Sequence, residues 1–209
     1  MILDAKCKKC RRVGQKLFLK GERCFTVKCA MVKKPYPPGP HGKKGKRGIS
    51  EYGKQLLEKQ RIRQTYNVLE RQFRKYIQAI MSIRQSADRR ELLWQKLEKR
   101  LDNVVFRLGW AKSRLQARQI TSHRHILVNG RVVNIPSYEM KINDILTVSA
   151  KSRQLNIFEN SKSGSKKSSV PPWLNLSENG FEAKIVSTPT AEDARELESL
   201  GVIIEYYSR

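Results

Sequence analysis

The chain has 209 residues, with 43 Lys+Arg against 19 Asp+Glu, a formal net charge of +24 and a pI near 10.2. That length holds one ordinary domain or two small ones and excludes a large multi-domain enzyme, while the uncompensated charge calls for a polyanionic partner, either nucleic acid or an anionic membrane. Hydrophobic residues at 39%, among them 3 Trp, 7 Tyr and 6 Phe, exclude a purely disordered basic tail.

Met1 to Lys6 has no apolar signal core, and no apolar run approaches the roughly 18 residues that cross a bilayer, so the protein is expected to stay where it is made. Cys7, Cys10, Cys24 and Cys29 follow as two close pairs separated by a loop, an arrangement that lets four thiolates converge on one tetrahedral ion. A closed four-thiolate site leaves no open position, so the metal would be structural. One zinc ion is the leading expectation; the sequence also accommodates an iron–sulfur cluster or free thiols. Lys6, Lys8, Lys9, Arg11, Arg12, Arg23 and Lys28 surround the sulfurs, and their field is expected to lower the thiol pKa values.

Residues 33 to 48 hold four prolines, four glycines and six basic residues, which predicts an irregular, extended basic arm carrying Lys43, Lys44, Lys46 and Arg47. Helical periodicity begins at Ser50, a candidate N-cap, and runs to about Tyr66 with Leu56, Leu57 and Ile62 as apolar positions and Lys54, Lys59 and Arg63 opposite. A second helix is predicted from about Glu70 to Ser82 with Phe73, Tyr76, Ile77 and Ile80 toward a core. A third runs from about Asp88 to Arg100 through Leu92, Leu93 and Leu97.

Ser113 and Gln116 read as a capping box, with Ser113 on the third helical amide and Gln116 reaching back to the amide of Ser113. The helix this opens sets Arg114 and Arg118 on one face. Asn129-Gly130 between β-branched runs predicts a two-residue hairpin of type I′. Together these elements could gather Arg114, Arg118, Arg124 and Arg131 on one phosphate-binding surface, with His123 or His125 beside it as a contact and not a catalyst. Residues 161 to 172 read as a flexible loop, and 201 to 209 as a β-prone terminal segment. Net charge is +13 over residues 1 to 50, +5 over 51 to 98, +8 over 99 to 153 and −2 over 154 to 209, so two positive blocks are separated from a mildly acidic end containing Glu192, Asp193, Glu196 and Glu198.

Leu101 to Gly109, then Ser113-Arg114-x-Gln116-Ala117-Arg118, His125-Ile126-x-Val128-Asn129-Gly130-Arg131 and Pro136-Ser137-Tyr138 resemble the S-four-type RNA-binding domain. The flanks, Leu19 to Cys24, Lys28-Cys29-Ala30, Tyr36-Pro37-Pro38-Gly39-x-His41-Gly42, Glu70-Arg71-Gln72-Phe73 and Glu205 to Arg209, extend the resemblance nearly end to end to the bacterial and organellar small-subunit ribosomal protein S-four family. Two departures stand out: a short start before Cys7, and Arg124 where relatives usually carry Gly, which is penalised if φ is positive.

The resemblance implies an α+β protein: a four-cysteine zinc knot and basic arm (1–49), a helical domain (50–98) completed by 195–209, and an inserted S-four-type domain (99–194, core 100–151) of helices and a small antiparallel sheet. It implies no catalysis, primary binding to a small-subunit rRNA junction in the 5′ domain, nucleation of subunit assembly, contact with protein S-five and other small-subunit proteins, a place near the channel through which mRNA enters, and an influence on decoding accuracy. No membrane partner is implied; the location is the bacterial cytoplasm, or an organelle stroma or matrix. The candidate RNA contacts are the four arm cations, Lys59, Arg63, Arg100, Arg107, Ser113, Arg114, Gln116, Arg118, His123, Arg124, Arg131, Lys151 and Arg153. An RNA-modifying enzyme and a zinc-dependent DNA-binding regulator are the competing classes, the first weakened by the lack of a recognisable nucleophile or acid–base pair.

Overall fold

The computed structural model describes residues 5–44, 48–83, 88–158, 170–190 and 197–208. The chain forms two compact units, Met1–Arg90 with Glu196–Arg209, and Glu91–Arg195; the divide lies in the first turn of a helix, where the sequence placed it at residue 99.

The first unit begins with α1 (Lys6–Val13), stopped by Gly14 at φ 86°, whose amide donates to the Cys10 carbonyl. A 3-10 turn (Gly21–Cys24) and the short α2 (Ala30–Lys33) follow. The arm is not extended as expected, because Arg11 pins it: its guanidinium donates to the carbonyls of Lys34 (3.0 Å), Tyr36 (2.8 Å) and Pro37 (3.2 Å) and lies 4.8 Å over the Tyr36 ring. Residues 39–44 then turn so tightly that a Cβ on Gly42 would sit 1.9 Å from the Pro37 carbonyl oxygen. Lys46 and Arg47 lie outside the described residues.

Helix α3 (Glu51–Thr65) starts as expected, with the Ser50 hydroxyl accepting from the Gly53 amide at 3.3 Å. Helix α4 (Glu70–Met81) buries the four expected residues, Phe73, Tyr76, Ile77 and Ile80. On α3, however, Ile62 is buried while Leu56 and Leu57 are only half-buried, and Gln55 and Lys59 are buried instead. The terminal segment is the cause. Expected as β-prone, it is helical over Leu197–Ser208. Leu200 and Ile203, three apart and both fully buried, form its inner stripe, and local β propensity yields to that packing. Its polar groups bond to α3 and α4: Tyr206 to Tyr52 (hydroxyls 3.0 Å apart), Gln55 to Glu205 (3.2 Å), Arg61 to Ser199 (2.7 Å) and Tyr207 to Glu70 (2.7 Å).

Helix α5 (Arg89–Glu98) carries the chain across the divide and buries Leu93, Trp94 and Leu97, leaving Leu92 half-buried. The second unit continues with α6 (Leu101–Arg107), α7 (Arg114–Ser122) and five antiparallel strands: β1 (Ile126–Val128), β2 (Arg131–Val132), β3 (Ile145–Val148), β4 (Leu174–Leu176) and β5 (Glu182–Ile185), in the order β2-β1-β3-β5-β4. The predicted hairpin is present: Asn129 (φ 50°) and Gly130 (φ 78°) supply the two positive φ values of a type I′ turn, pairing Val128 with Arg131. One core joins α6, α7 and the sheet through Val104, Val105, Ile120, Ile126, Leu146 and Phe158, with Trp110 and Trp173; the Trp110 indole donates to the Gly180 carbonyl at 2.8 Å.

The Pro136 to Tyr138 motif caps α6. Its Tyr138 and Pro136 carbonyls accept from the Leu101 and Asp102 amides at 2.9 and 3.1 Å. At α7, the Ser113 hydroxyl accepts from the Gln116 amide at 3.3 Å as expected, but the return bond differs: Gln116 Oε1 accepts from the Lys112 amide at 2.7 Å, not from that of Ser113. With Ser113 fully extended (φ −158°, ψ 157°), the preceding amide is the one offered to the side chain. Residues 161–169 of the loop expected over 161–172, and Glu192, Asp193 and Glu196, lie outside the described residues.

Candidate nucleic-acid interface

The turn between α5 and α6 brings two carboxylates, Glu98 and Asp102, under the arginines of α6 and α7. Arg107 grips Glu98 with two 2.8 Å bonds, from Nε and Nη2. Asn103 Nδ2 donates to the same carboxylate at 2.9 Å, and Asn103 Oδ1 accepts from Arg114 Nε at 2.8 Å. Arg114 Nη2 also approaches Glu98 at 4.0 Å, and its guanidinium lies 4.6 Å over the Phe106 ring. Asp102 accepts from Arg100 at 3.0 and 2.8 Å and from Arg118 Nη1 at 3.4 Å. Arg100 is thus a correction: its side chain is 3% exposed and serves the fold, not a surface. Arg107, Arg114 and Arg118 keep 29%, 17% and 36% of their side chains exposed. The expected shared face of Arg114 and Arg118 is present, anchored along α6.

At the end of α7, the amides of Arg124 and His125 donate back to Thr121 (3.1 Å) and Ile120 (3.3 Å), which forces Arg124 to φ 63°. The departure from Gly therefore carries the anticipated strain. His123 is exposed. His125 is partly enclosed, with Nδ1 2.8 Å from the Ser152 hydroxyl; burial first, then neighbouring His123, lowers its pKa. Arg124, Arg131, Lys151 and Arg153 are exposed, and Arg153 is steadied by the Val148 carbonyl at 3.2 Å and the Phe181 ring at 5.6 Å.

In the first unit Lys59 is a second correction. It is 6% exposed, 2.7 Å from Glu70 and 4.9 and 5.4 Å from the Tyr206 and Tyr207 rings. Burial works to raise the Glu70 carboxyl, but hydrogen bonds from Lys59 and Tyr207 outweigh it and hold the pKa below the usual range; the Tyr207 hydroxyl is pushed up by burial and by Glu70. Arg63 bonds Gln60 (3.0 and 2.6 Å) and the Val68 carbonyl (3.3 Å), and it lies 3.2 Å from Glu70. Arg63 also lines a cavity of about 580 Å³ together with Lys8, Lys9, Arg12 and Asn67, a basic recess. Lys43 and Lys44 are exposed, with Lys43 5.9 Å from the centre of the Tyr36 ring.

The four cysteines are unbridged, and Cys10, Cys24 and Cys29 are buried. The Lys20 amide donates to Cys24 Sγ at 3.4 Å. The expected lowering is not found at Cys10: burial, with the charges of Cys24, Cys7 and Cys29, pushes its thiol up against a hydrogen bond from Leu17. Among the described residues, no group of three or more His, Cys, Asp or Glu side chains is arranged to hold a metal ion. Nor is any described helix long and apolar enough to cross a membrane.

Three features escaped the sequence reading: the Arg11 clamp, the Glu98–Asp102 support and the Lys59 cage. Apart from the Arg100–Asp102 pair, their partners stand from 5 positions apart (Asn103 and Glu98) to 26 (Arg11 and Pro37) and 137 (Tyr207 and Glu70), outside any helical or strand period.

The chain matches a family profile described as ribosomal protein S4/S9 N-terminal domain over residues 2–98, and one described as S4 domain over residues 99–146. Similar proteins include the small ribosomal subunit protein uS4 of Thermotoga petrophila, 45% identical over 204 residues (97% of this chain, 96% of the relative). Those of Caldicellulosiruptor bescii (46%) and Thermus thermophilus (44%) each align over 203 residues, again 97% and 96%.

Proposed function

We infer the function from one premise, that the chain belongs to the uS4 family of small ribosomal subunit proteins: it is a structural constituent of the small ribosomal subunit, binds rRNA and catalyses no reaction. The observation that carries this is identity of 44 to 46% over 97% of the chain. The rRNA target is a helical junction of the 5′ domain, where binding nucleates assembly. Contact with protein S-five, proximity to incoming mRNA and an effect on decoding accuracy follow from the family resemblance, and the location is that of the ribosome, in a bacterial cytoplasm or an organelle stroma or matrix. Three basic regions support the RNA contact: the half-exposed arginines of α6 and α7, the exposed cations from Arg124 to Arg153, and the recess lined by Lys8, Lys9, Arg12 and Gly39, the last followed four and five residues on by exposed Lys43 and Lys44.

We further propose that the four cysteines take up one structural zinc ion. Their side chains as described do not converge on a metal position, so binding would have to draw them together; what supports the reading is the donor set, four soft sulfurs of which three are buried, with the Lys20 amide donating to Cys24 Sγ. Elemental analysis of native protein should find one zinc per chain; iron with visible absorbance indicates a cluster, and metal-free protein removes the proposal.

The RNA reading is tested by salt titrations of the full chain against a 5′-domain transcript, an unrelated RNA duplex and duplex DNA. Preference for the transcript at matched salt is expected, and equal or tighter binding to DNA favours the regulator class. Neutralising Lys43 and Lys44 should weaken binding to all RNAs alike and flatten the log–log salt slope by about 0.7 to 0.9 per lost phosphate contact.

A further inference from the structure

Carboxylates set beside RNA-binding arginines reduce the positive potential offered to RNA, yet in a chain with 43 basic and 19 acidic side chains Glu98 and Asp102 are 1% and 5% exposed there. Removing a carboxylate from water is unfavourable unless its hydrogen bonds are met. Here guanidinium groups and Asn103 donate to them. Resting on the rRNA-binding reading, we propose that Glu98 and Asp102 are positioning residues that hold Arg107, Arg114 and Arg118 as a rigid rack, so that the second unit recognises the spacing of phosphates on a folded RNA.

Each rack arginine is held at one edge and exposed at another. Arg107 is held by two bonds to Glu98, Arg114 by Asn103 and the Phe106 ring, and Arg118 by Asp102. An arginine free in solvent loses its rotamer freedom when RNA fixes it. A held one has lost that freedom on folding, and its planar fork is set before the phosphate arrives. A rigid rack favours one arrangement of phosphates, whereas exposed arm lysines accept many.

The experiment measures affinity of the full chain and of Glu98→Gln, Asp102→Asn and Arg114→Lys for a 5′-domain transcript and an unrelated RNA duplex of equal length, across a salt series. The two carboxylate variants each add one unit of positive net charge. The expected result is nonetheless about a tenfold loss for the transcript, with duplex binding unchanged or tighter. If the carboxylates act only through the overall field, both RNAs bind tighter; if they only hold the fold, both weaken together with the melting temperature. Either pattern overturns the proposal. Should the carboxylate variants fail to fold, Arg114→Lys decides: it keeps the charge and loses the fork, so an unchanged transcript preference rejects the rack and a reduced one supports it. A parent protein without transcript preference overturns the rRNA reading and the rack with it, whereas a parent with the preference and variants that retain it overturn the rack alone.

Discussion

The two units treat their cations in opposite ways. In the first, Lys59 is withdrawn from solvent into a cage of Glu70, Tyr206 and Tyr207, and its charge is consumed by the fold. In the second, Glu98 and Asp102 are the withdrawn groups; Arg100 is buried with them, while Arg107, Arg114 and Arg118 stay partly exposed. The net charge of +24 is therefore a poor measure of the charge offered to RNA. What decides is which member of each ion pair is buried.

Removing the last element should give the largest effect on this contrast. Truncation after Gly201 deletes Ile203, fully buried, and the aromatic wall of the Lys59 cage; by analogy with large-to-small core changes the first unit should lose at least about 3 kcal/mol. Hydrogen exchange should show residues 50–83 losing protection while residues 100–151 keep theirs, and equal loss in both would break the distinction between the units.

Lys59→Ala is the next largest, at about 2 kcal/mol, below the cost typical of fully buried pairs because Glu70 is 42% exposed. Chemical denaturation reads it, and affinity for RNA should be little changed. A loss of salt slope at unchanged stability would instead return Lys59 to the phosphate-binding set.

Arg124→Gly runs the other way. It relieves a left-handed residue and should stabilise the second unit by about 1 kcal/mol, measured as a higher melting temperature. A matching fall in RNA affinity would show that the exposed guanidinium repays its strain by binding.

The smallest effect is the pH response of His125. Its folded pKa lies below the ordinary value, so the fold favours the neutral ring. This contribution is fully present above about pH 6.5 and is lost as pH falls through the folded pKa. His125→Gln should slightly flatten the acid limb of the stability curve, and an unaltered limb would remove His125 from that role.

Much of the fold was legible because its causes are local. The Ser50 and Ser113 caps, the Asn129-Gly130 turn and the apolar stripe of α4 involve residues within four positions of one another, where backbone geometry and side-chain period act directly. The candidate site was legible as composition, in arginines at helical spacing on α7, but not as a set of exposed and buried charges. The sequence by itself determined the basic character, helices α3, α4, α5 and α7, and the hairpin. Only the tertiary structure decided that residues 197–208 are helical, that the arm folds back on Arg11, that Gln116 caps Lys112, and that Arg100 and Lys59 are buried while Arg107, Arg114 and Arg118 stay partly exposed. The physical reason is that burial and ion pairing are set by neighbours in space: Tyr206 and Tyr52, 154 positions apart, help to fix an element whose β-branched residues favour a strand when taken alone.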